Sequence, residues 1–241
     1  MRDNENYTQE IDLSSLPAGT DLTDHIRMME VLNRYGLPLD PFMELMAEYQ
    51  SAAMQVEAKF RVLSTLLSAH AEDNPIETIK TRIKSPDSIV SKLIRQGDDI
   101  SLASLEERIF DVAGVRVICS FIDDIYRLQD LFLRQDDITL VTRKDYIANP
   151  KKSGYRSLHL VVRTPIIAET WKKDVYVEVQ MRTIAMDFWA SLEHKLRYKK
   201  DIDPRALAHV NRELEASAAA SARLDQRMQD IRDEIKRITG K

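Results

Sequence analysis

Two carboxylates interrupt segments whose other residues are typical of β-strands. Asp111 opens the run DVAGVRVICS, and Glu178 lies inside VYVEVQ. A carboxylate in a strand is costly to bury unless it is paired or bound to a cation. Mg²⁺ in proteins is commonly held by one or two carboxylates together with substrate phosphates. The pair therefore predicts a metal site for phosphoryl chemistry, although a turn cap at Asp111 and a solvent-facing Glu178 would explain the same residues.

A basic segment between two apolar runs is the second chemical feature. Residues 143–163 contain six Arg or Lys residues and one acidic residue, in a chain of net charge -4. Asn149-Pro150 and Ser153-Gly154 are turn signals, so we interpret the segment as a loop joining two strands. Its charge suits a nucleotide phosphate, and the ring of Tyr155 offers a flat surface for a base. A solvated hairpin tip is the alternative interpretation.

A second cationic cluster surrounds the predicted start of a helix at Pro86. The segment RIKSPDSIVSK contributes Arg82, Lys84, Ser88 and Lys92. Backbone N–H groups and the helix dipole favour phosphate at such a position. Ser88 and Lys92 are four residues apart and share one face of the helix. A simple helix cap accounts for the same pattern.

The composition excludes several classes of protein. The six glycines are not spaced as GxGxxG or GxxxxGK, so any bound phosphates must be held by side chains. The single cysteine, Cys119, lies in an apolar run, which predicts a buried thiol and excludes an internal disulfide or a multi-cysteine zinc site. No apolar run is long enough to span a membrane, and the N-terminus lacks an apolar signal core. We therefore expect a cytoplasmic protein with no membrane partner.

The periodicity predicts an α+β fold, in which a mixed β-sheet is covered by helices and flanked by long N- and C-terminal helices. We divide the chain into a polar arm with one short helix (1–39), a long helix (40–74), a sheet domain (75–200) and a C-terminal helix (201–241). Within the sheet domain, the prolines at 75 and 86 predict a helix over Ile76–Lys84, followed by a helix that ends at Gln96. Strands and helices then alternate.

The C-terminal helix carries an apolar seam. Its members are separated by 4, 3, 4 and 3 residues, a heptad pattern: Leu224, Met228, Ile231, Ile235 and Ile238. The matching upstream positions are largely alanine, which permits close helix approach. Packing against the first long helix and self-association both explain the seam, and we expect both in an oligomer.

Five motifs that occur in order resemble a known family. RIKSPDSIVSK, DVAGVRVI, KDYIANPKKSGYRSLH, VEVQMRT and WASLEHKLRYK are similar to motifs of the alarmone synthetase domain of the RelA/SpoT superfamily, in particular the small synthetases of the RelP and RelQ type. The resemblance implies a nucleotidyltransferase-like synthetase fold and a Mg²⁺-dependent GTP pyrophosphokinase. Such an enzyme transfers pyrophosphate from ATP to the ribose 3′-hydroxyl of GTP or GDP, which releases AMP and makes the stringent-response alarmone (p)ppGpp.

The resemblance also implies roles for individual residues. Arg82 and Arg116 would sandwich the adenine, and the ATP phosphates would contact Lys84, Ser88 and Lys92. Asp111 and Glu178 would bind Mg²⁺, with Glu178 also the candidate base for the 3′-hydroxyl. Tyr155 would stack on guanine. The phosphates of the acceptor and the transferred group would be lined by Lys144, Lys151 and His159, and Gln180 would also belong to the acceptor site. Ser153 stands where many relatives have asparagine, which leaves the preference among acceptors open.

The resemblance has further implications for partners and activity. Relatives form homotetramers, which agrees with the heptad seam. The metal-binding motifs of the hydrolase domain in long relatives have no counterpart upstream, so no hydrolase activity is expected. A catalytically silent nucleotide- or RNA-binding regulator is the alternative function, and a helical assembly module is a third. The two carboxylates favour the enzyme, since an RNA-binding groove gains nothing from anionic groups beside phosphate.

Overall fold

The computed structural model describes residues 22–70, 74–197 and 204–240. In these ranges the chain forms seven helices and five strands. The helices are α1 (Leu22–Tyr35), α2 (Leu39–His70), α3 (Pro86–Gln96), α4 (Leu102–Arg108), α5 (Ile122–Leu133), α6 (Ile184–Arg197) and α7 (Pro204–Thr239). The strands are β1 (Ile76–Ile83), β2 (Ala113–Cys119), β3 (Thr139–Asp145), β4 (Leu158–Ile167) and β5 (Lys172–Thr183).

The five strands form one mixed sheet in the order β1-β2-β5-β4-β3. β2 and β5 are parallel, and the other three neighbouring pairs are antiparallel. The predicted α+β class and mixed sheet are therefore confirmed. The parallel strands β2 and β5 lie side by side although their paired residues Gly114 and Glu178 are 64 positions apart in the sequence, with α5, β3 and β4 between them.

One face of the sheet packs on helices, and the alternation of side chains explains why. In β4, and in β5 from Val175 to Met181, every second residue is buried, as expected for strands with one face against a core. The buried residues Leu160, Val177 and Val179 belong to the same core as α2 and α5, where the rings of Phe60 and Phe132 stack at 4.5 Å. Each such side chain contributes roughly 1.5–3 kcal/mol by leaving water. The opposite face carries the polar residues of the strands.

The helix predicted over Ile76–Lys84 is wrong, because this segment is the edge strand β1. Its apolar residues Ile76, Ile79 and Ile83 have the 3 and 4 spacing of a helix. The pairing of β1 with β2 is irregular between Ile76 and Thr78. This irregularity shifts the side-chain alternation and allows Ile76 and Ile79 both to pack against the core. Helix-like spacing therefore arises inside a strand.

Helix α3 follows the prediction at both ends. Pro86 occupies its first turn, and Gly97 ends it with φ 76, in the left-handed region where a residue without Cβ is favoured. The backbone N–H of Gly97 donates to the Ile94 carbonyl at 3.1 Å. The short helix α4 was not predicted, and Ser101 caps it by accepting a hydrogen bond from the backbone N–H of Ser104 at 3.1 Å.

Helix α7 packs on α6 and α5 rather than along α2. The indole N–H of Trp189 donates to the carbonyl of Leu214 at 3.1 Å, which joins α6 to α7. Farther along, the guanidinium of Arg232 donates to both carboxylate oxygens of Asp123 on α5, at 2.6 and 2.8 Å. The five seam side chains remain 41% to 77% exposed. The expected packing of the seam against the first long helix is therefore wrong.

No helix in the described ranges combines the length and apolar character that crossing a membrane requires. Cys119 is a free, buried thiol, as predicted, and burial raises its pKa.

Candidate active site

The polar face of the sheet brings together predicted residues from four strands. Arg82 on β1 lies opposite Gly114 on β2, which lies beside Glu178 on β5. In the next row, Arg116, Gln180, His159 and Lys144 are neighbours across β2, β5, β4 and β3. Neighbouring residues in register project to the same face of a sheet, so these side chains share one surface. An open cleft of about 190 Å³ is lined by Arg82, Arg116, Glu178 and Gln180, together with Lys80, Thr81, Gly114 and Val115.

Gly114 preserves the room that the Arg82 side chain uses. A Cβ at position 114 would lie 3.2 Å from Nε and 3.3 Å from Cγ of Arg82. These distances are tighter than ordinary van der Waals contact, so any side chain here would displace the guanidinium. Glycine in the middle of a strand often marks such a close approach.

Asp111 forms ion pairs with two lysines at the end of the cleft. Lys84 Nζ lies 3.1 Å from Oδ2 and Lys92 Nζ lies 2.8 Å from Oδ1. Lys92 comes from α3, whereas Lys84 directly follows β1. Burial disfavours the ionised form of Asp111, but the hydrogen bond from Lys92 and the charge of Lys84 outweigh burial and lower its pKa. The carboxylate is therefore ionised at neutral pH and is held beside two cations suited to phosphate.

A chain of hydrogen bonds runs from Arg182 to Glu178. The Arg182 guanidinium donates to the hydroxyl oxygen of Tyr155 at 2.7 Å, and that hydroxyl lies 2.8 Å from Nε2 of His159. Nδ1 of His159 lies 3.0 Å from Oε1 of Glu178. An ionised carboxylate can only accept, so we assign the histidine proton to Nδ1 and an acceptor role to Nε2. The guanidinium, the hydroxyl and the imidazole N–H then all donate in one direction, and Glu178 is the final acceptor.

Hydrogen bonds keep the half-buried carboxylate of Glu178 ionised. Burial alone would raise the pKa of this carboxyl, but the hydrogen bonds from His159 and Gln180 lower it. Nε2 of Gln180 donates to Oε2 at 2.7 Å. Arg82 Nη2 stands 3.9 Å from the same oxygen, at the edge of the cleft. The result is an oriented, charged carboxylate that can accept a proton from a bound hydroxyl.

The ring of Tyr155 lies among cations and other rings. Lys151 Nζ stands 4.8 Å from its centroid, and also 4.6 Å from the centroid of Tyr146. The Tyr146 ring meets Tyr155 edge-on at 6.0 Å and His159 edge-on at 5.3 Å. Sequence reasoning missed Tyr146, although it belongs to the same motif, because one tyrosine in a loop looks much like another until the packing is known.

Asp187 is a second residue that sequence reasoning missed. Its Oδ1 accepts from Arg182 Nη1 at 3.1 Å and from Arg116 Nη1 at 3.5 Å. Burial and the nearby charge of Arg182 lower the pKa of Arg116, and Asp187 partly offsets that repulsion. An acidic residue in the first turn of a helix is common, so Asp187 carried no distinguishing signal.

The remaining predicted residues lie around this cluster. Ser88 is in the first turn of α3, with its Oγ 2.9 Å from Oγ of Ser85. Lys144 is exposed on β3 beside His159. Ser153 lies in the loop between β3 and β4, next to Gly154, whose φ is 84.

The carboxylates suit a cation that takes its other ligands from substrate. In the described ranges no three His, Cys, Asp or Glu side chains are grouped as a self-sufficient metal site. Asp111 and Glu178 are ionised and close enough for the charge of Asp111 to raise the pKa of Glu178. Two hard oxygen donors within electrostatic reach of each other would suit Mg²⁺, which would take its remaining ligands from phosphate and water.

Known proteins are similar to this chain in sequence and in fold. The family model for the region found in RelA/SpoT proteins matches residues 81–203. The chain belongs to the RelA/SpoT family. Among members of that family, GTP pyrophosphokinase YwaC of Bacillus subtilis (strain 168) is 44% identical over 188 residues, which cover 78% of this chain and 88% of that protein. GTP pyrophosphokinase YjbM of the same organism is 38% identical over 187 residues, 78% of this chain and 86% of that protein.

Solved structures of the RelA/SpoT family agree with the fold. The small alarmone synthetase 1 of Bacillus subtilis, bound to its product pppGpp, superposes with a TM-score of 0.73 at 36% identity, over 81% of this chain and 98% of that one. A GTP pyrophosphokinase family protein from Streptococcus pneumoniae gives a TM-score of 0.74 at 33% identity, over 83% and 97% of the two chains.

Proposed function

We propose that this protein is a GTP pyrophosphokinase that makes (p)ppGpp by transferring the β,γ-diphosphate of ATP to the ribose 3′-hydroxyl of GTP or GDP. The observation that carries this proposal is the ionised Glu178, which His159 orients at 3.0 Å. Glu178 lies within electrostatic reach of Asp111, which is paired with Lys84 and Lys92. This arrangement places a proton acceptor beside groups that bind phosphate, which is what phosphoryl chemistry requires.

In the reaction, the acceptor 3′-oxygen attacks the β-phosphorus of ATP. The bond from that phosphorus to the α,β-bridging oxygen breaks, and AMP leaves with the bridging oxygen. The hydroxyl proton passes to Glu178. His159 holds the carboxylate in position through Nδ1–H, and Gln180 holds its other oxygen. No protein nucleophile is needed.

The ATP side lies on β1, β2 and α3. Arg82 and Arg116 flank the cleft and can sandwich the adenine between their guanidinium planes. Lys84 and Lys92 exchange part of their contact with Asp111 for the ATP phosphates, and Ser88 adds a hydroxyl at the start of α3. Positive side chains in a half-buried site stabilise the charge of the departing group more strongly than they would in water.

The acceptor side lies on the loop between β3 and β4. Tyr155 stacks on the guanine, and Lys144 and Lys151 contact the acceptor phosphates. Gln180 and Ser153 provide further polar contacts. Base stacking on an aromatic ring contributes roughly 1–3 kcal/mol, so one tyrosine supplies much of the recognition of the base.

Asp111 and Glu178 would hold Mg²⁺ together with ATP phosphates. When bound there, the ion would neutralise charge on the transferred diphosphate. The two carboxylates are ionised before any ion arrives, because the positive partners of Asp111 and the His159 contact of Glu178 lower their pKa values.

The protein assembles as a homotetramer in this proposal. Two rows of apolar side chains are exposed on the last two helices. One is the α7 seam, and the other lies on α6 and consists of Ile184, Phe188, Leu192 and Leu196, which are 43% to 64% exposed. Rows of this size on a monomer mark an interaction surface. Replacing Met228 and Ile235 by aspartate should reduce the mass measured by light scattering, and an unchanged mass would remove the seam from the interface.

The proposed function is tested by incubating the protein with ATP, Mg²⁺ and either GTP or GDP, and resolving nucleotides by anion exchange. AMP appearing in step with a more highly phosphorylated guanosine is the expected result, and it also gives the acceptor preference. ADP would mean ordinary phosphoryl transfer. Nucleotide binding without turnover would favour the silent regulator. A cytoplasmic location would supply ATP and the guanosine nucleotides.

A further inference from the structure

The C-terminal helix reaches the loop that carries the acceptor site. Gly154 adopts φ 84, and a Cβ at this position would overlap the Cβ of Ala218 on α7 and approach the carbonyl oxygen of Glu215 at 4.0 Å. Glycine is therefore required here for two reasons: the backbone is left-handed, and α7 leaves no room for a Cβ. Ala218 is itself only 5% exposed.

Tyr155, the next residue, packs against the same part of α7. It borders a buried cluster formed by Trp189 and Ala190 of α6 with Leu214 and Ala218 of α7. The Trp189 indole donates to the Leu214 carbonyl at 3.1 Å, which fixes the two helices against each other. The ring of Tyr155 therefore rests on a surface built by α6 and α7, outside the sheet that carries the catalytic carboxylate.

Further side-chain contacts hold α7 in place near Ala218. Oγ of Ser221 donates to the Ala185 carbonyl at 3.2 Å, at the start of α6. Oγ1 of Thr183 donates to the buried carboxyl of Asp225 at 2.8 Å, at the end of β5. One and two turns after Ala218, side chains thus tie α7 to α6, which bears Asp187, and to β5, which bears Arg182. The helix is fixed along the stretch that faces the loop.

Backbone hydrogen bonds close the loop around Gly154. Its backbone hydrogen bonds include Gly154 N–H to the Lys151 carbonyl at 2.8 Å and Lys151 N–H to the Tyr155 carbonyl at 3.2 Å. Fixing each additional residue of such a loop costs conformational entropy. A wall that already confines the loop lowers the cost of ordering it around a nucleotide.

We propose that Ala218 is a positioning residue for the guanosine acceptor: it forms a wall against Gly154 that sets the loop and the Tyr155 ring for stacking. This inference rests on the proposed function, because it assumes that Tyr155 binds the acceptor. The ATP groups lie on β1, β2 and α3, so the wall acts on one substrate. Ala218 touches neither nucleotide and acts through Gly154 and Tyr155.

The test compares Ala218→Leu with Ala216→Leu, an identical change on an exposed position of the same helix. In Ala218→Leu the acceptor KM should rise about tenfold while the ATP KM stays within about twofold, since displacing a substrate-positioning group by about 1 Å costs that order of rate or more. Ala216→Leu should keep both KM values. Calorimetry with GDP alone and with a non-hydrolysable ATP analogue should show the same split in binding.

An acceptor KM at the wild-type value in folded Ala218→Leu, or an equal rise for both substrates, would overturn the proposal. If the leucine variant fails to fold, Ala218→Gly decides: it removes the methyl wall, and an acceptor-specific rise supports the proposal whereas no rise overturns it. Light scattering on each variant separates these effects from loss of assembly. If the wild-type protein makes no AMP, the proposed function fails instead, and that result is independent of position 218.

Discussion

Replacing Tyr155 by phenylalanine separates two roles that one side chain combines. The hydroxyl accepts from Arg182 at 2.7 Å and lies 2.8 Å from Nε2 of His159, within the chain that orients Glu178. The ring is the surface proposed to stack on guanine. Phenylalanine keeps the ring and removes the hydroxyl, whereas alanine removes both.

The magnitude follows from the burial of the two partners. The side chains of Arg182 and His159 are 7% and 14% exposed, so water replaces the lost hydroxyl poorly. Leaving a buried polar group unpaired costs about 1–3 kcal/mol. If that cost falls on the transition state, kcat decreases roughly 5- to 150-fold. The acceptor KM of the phenylalanine variant should stay within about threefold, because stacking, worth roughly 1–3 kcal/mol per base, is retained.

The assay measures initial rates of AMP formation with each substrate varied in turn. Tyr155→Ala should lower kcat and also raise the acceptor KM, with a smaller effect on ATP. Tyr35→Phe, on α1, is the matched control for loss of a tyrosine hydroxyl and should match the wild type. A phenylalanine variant with wild-type kcat would refute the positioning role of the hydroxyl. One that shares the KM defect of alanine would place acceptor recognition in the hydroxyl and not in the ring.

Three further predictions concern the metal site, the cleft and stability. Asp111→Asn should reduce synthesis by about 100-fold or more at saturating Mg²⁺, because the metal ion would lose one of its two carboxylate ligands, while GDP binding persists in calorimetry. Gly114→Ala should raise the ATP KM about tenfold with an unchanged acceptor KM, because the new Cβ meets Arg82 at 3.2 Å. Burial raises the pKa of Asp225, against the hydrogen bond from Thr183, so the folded protein binds this proton more tightly than the unfolded chain. Its contribution to stability is therefore present below the ordinary aspartate range and lost as pH rises through the raised pKa. Asp225→Asn should then raise the melting temperature at neutral pH by about 2–4 °C for each 1 kcal/mol recovered, and the gain should vanish in acid.

Each of these predictions has an outcome that contradicts it. Synthesis at the wild-type rate in Asp111→Asn would remove this carboxylate from the metal site. An increase in the acceptor KM in Gly114→Ala would show that the cleft beside Arg82 does not bind ATP. For Asp225→Asn, a melting temperature that is unchanged at neutral pH, or raised equally in acid, would show that the buried charge is not what limits stability there.

Local signals in the sequence predicted several elements because their causes are local. Pro86 and Gly97 fix the two ends of α3, one by its preset φ and the other by its left-handed φ of 76. The β-branched run around Glu178 predicted β5, and the alternation there identified the carboxylate as unusual. The heptad seam predicted a C-terminal helix, which α7 confirms.

The predictions that failed concern segments whose structure depends on contacts with elements remote in the sequence. Ile76 and Ile79 have helical spacing, yet their segment pairs with β2 through an irregular register, and only that pairing makes it a strand. The heptad spacing in α7 gave no indication of which helices α7 packs against. Contacts with α6 and α5 depend on groups such as the Trp189 indole and the Arg232 guanidinium, whose partners are remote in the sequence.

The sequence by itself determined the chemical groups of the site and the family, since the type of each residue fixes its charge and donors and the motifs keep their order. It identified Asp111, Glu178 and Tyr155 without indicating their partners. The tertiary structure alone decided that Asp187 joins Arg116 to Arg182, although Arg116 lies 71 residues away in the chain. It likewise decided the contact of Ala218 with the acceptor loop. The physical reason is that strand register and helix packing depend on the summed contacts of whole elements, and no local pattern of residues encodes which remote groups those contacts bring together.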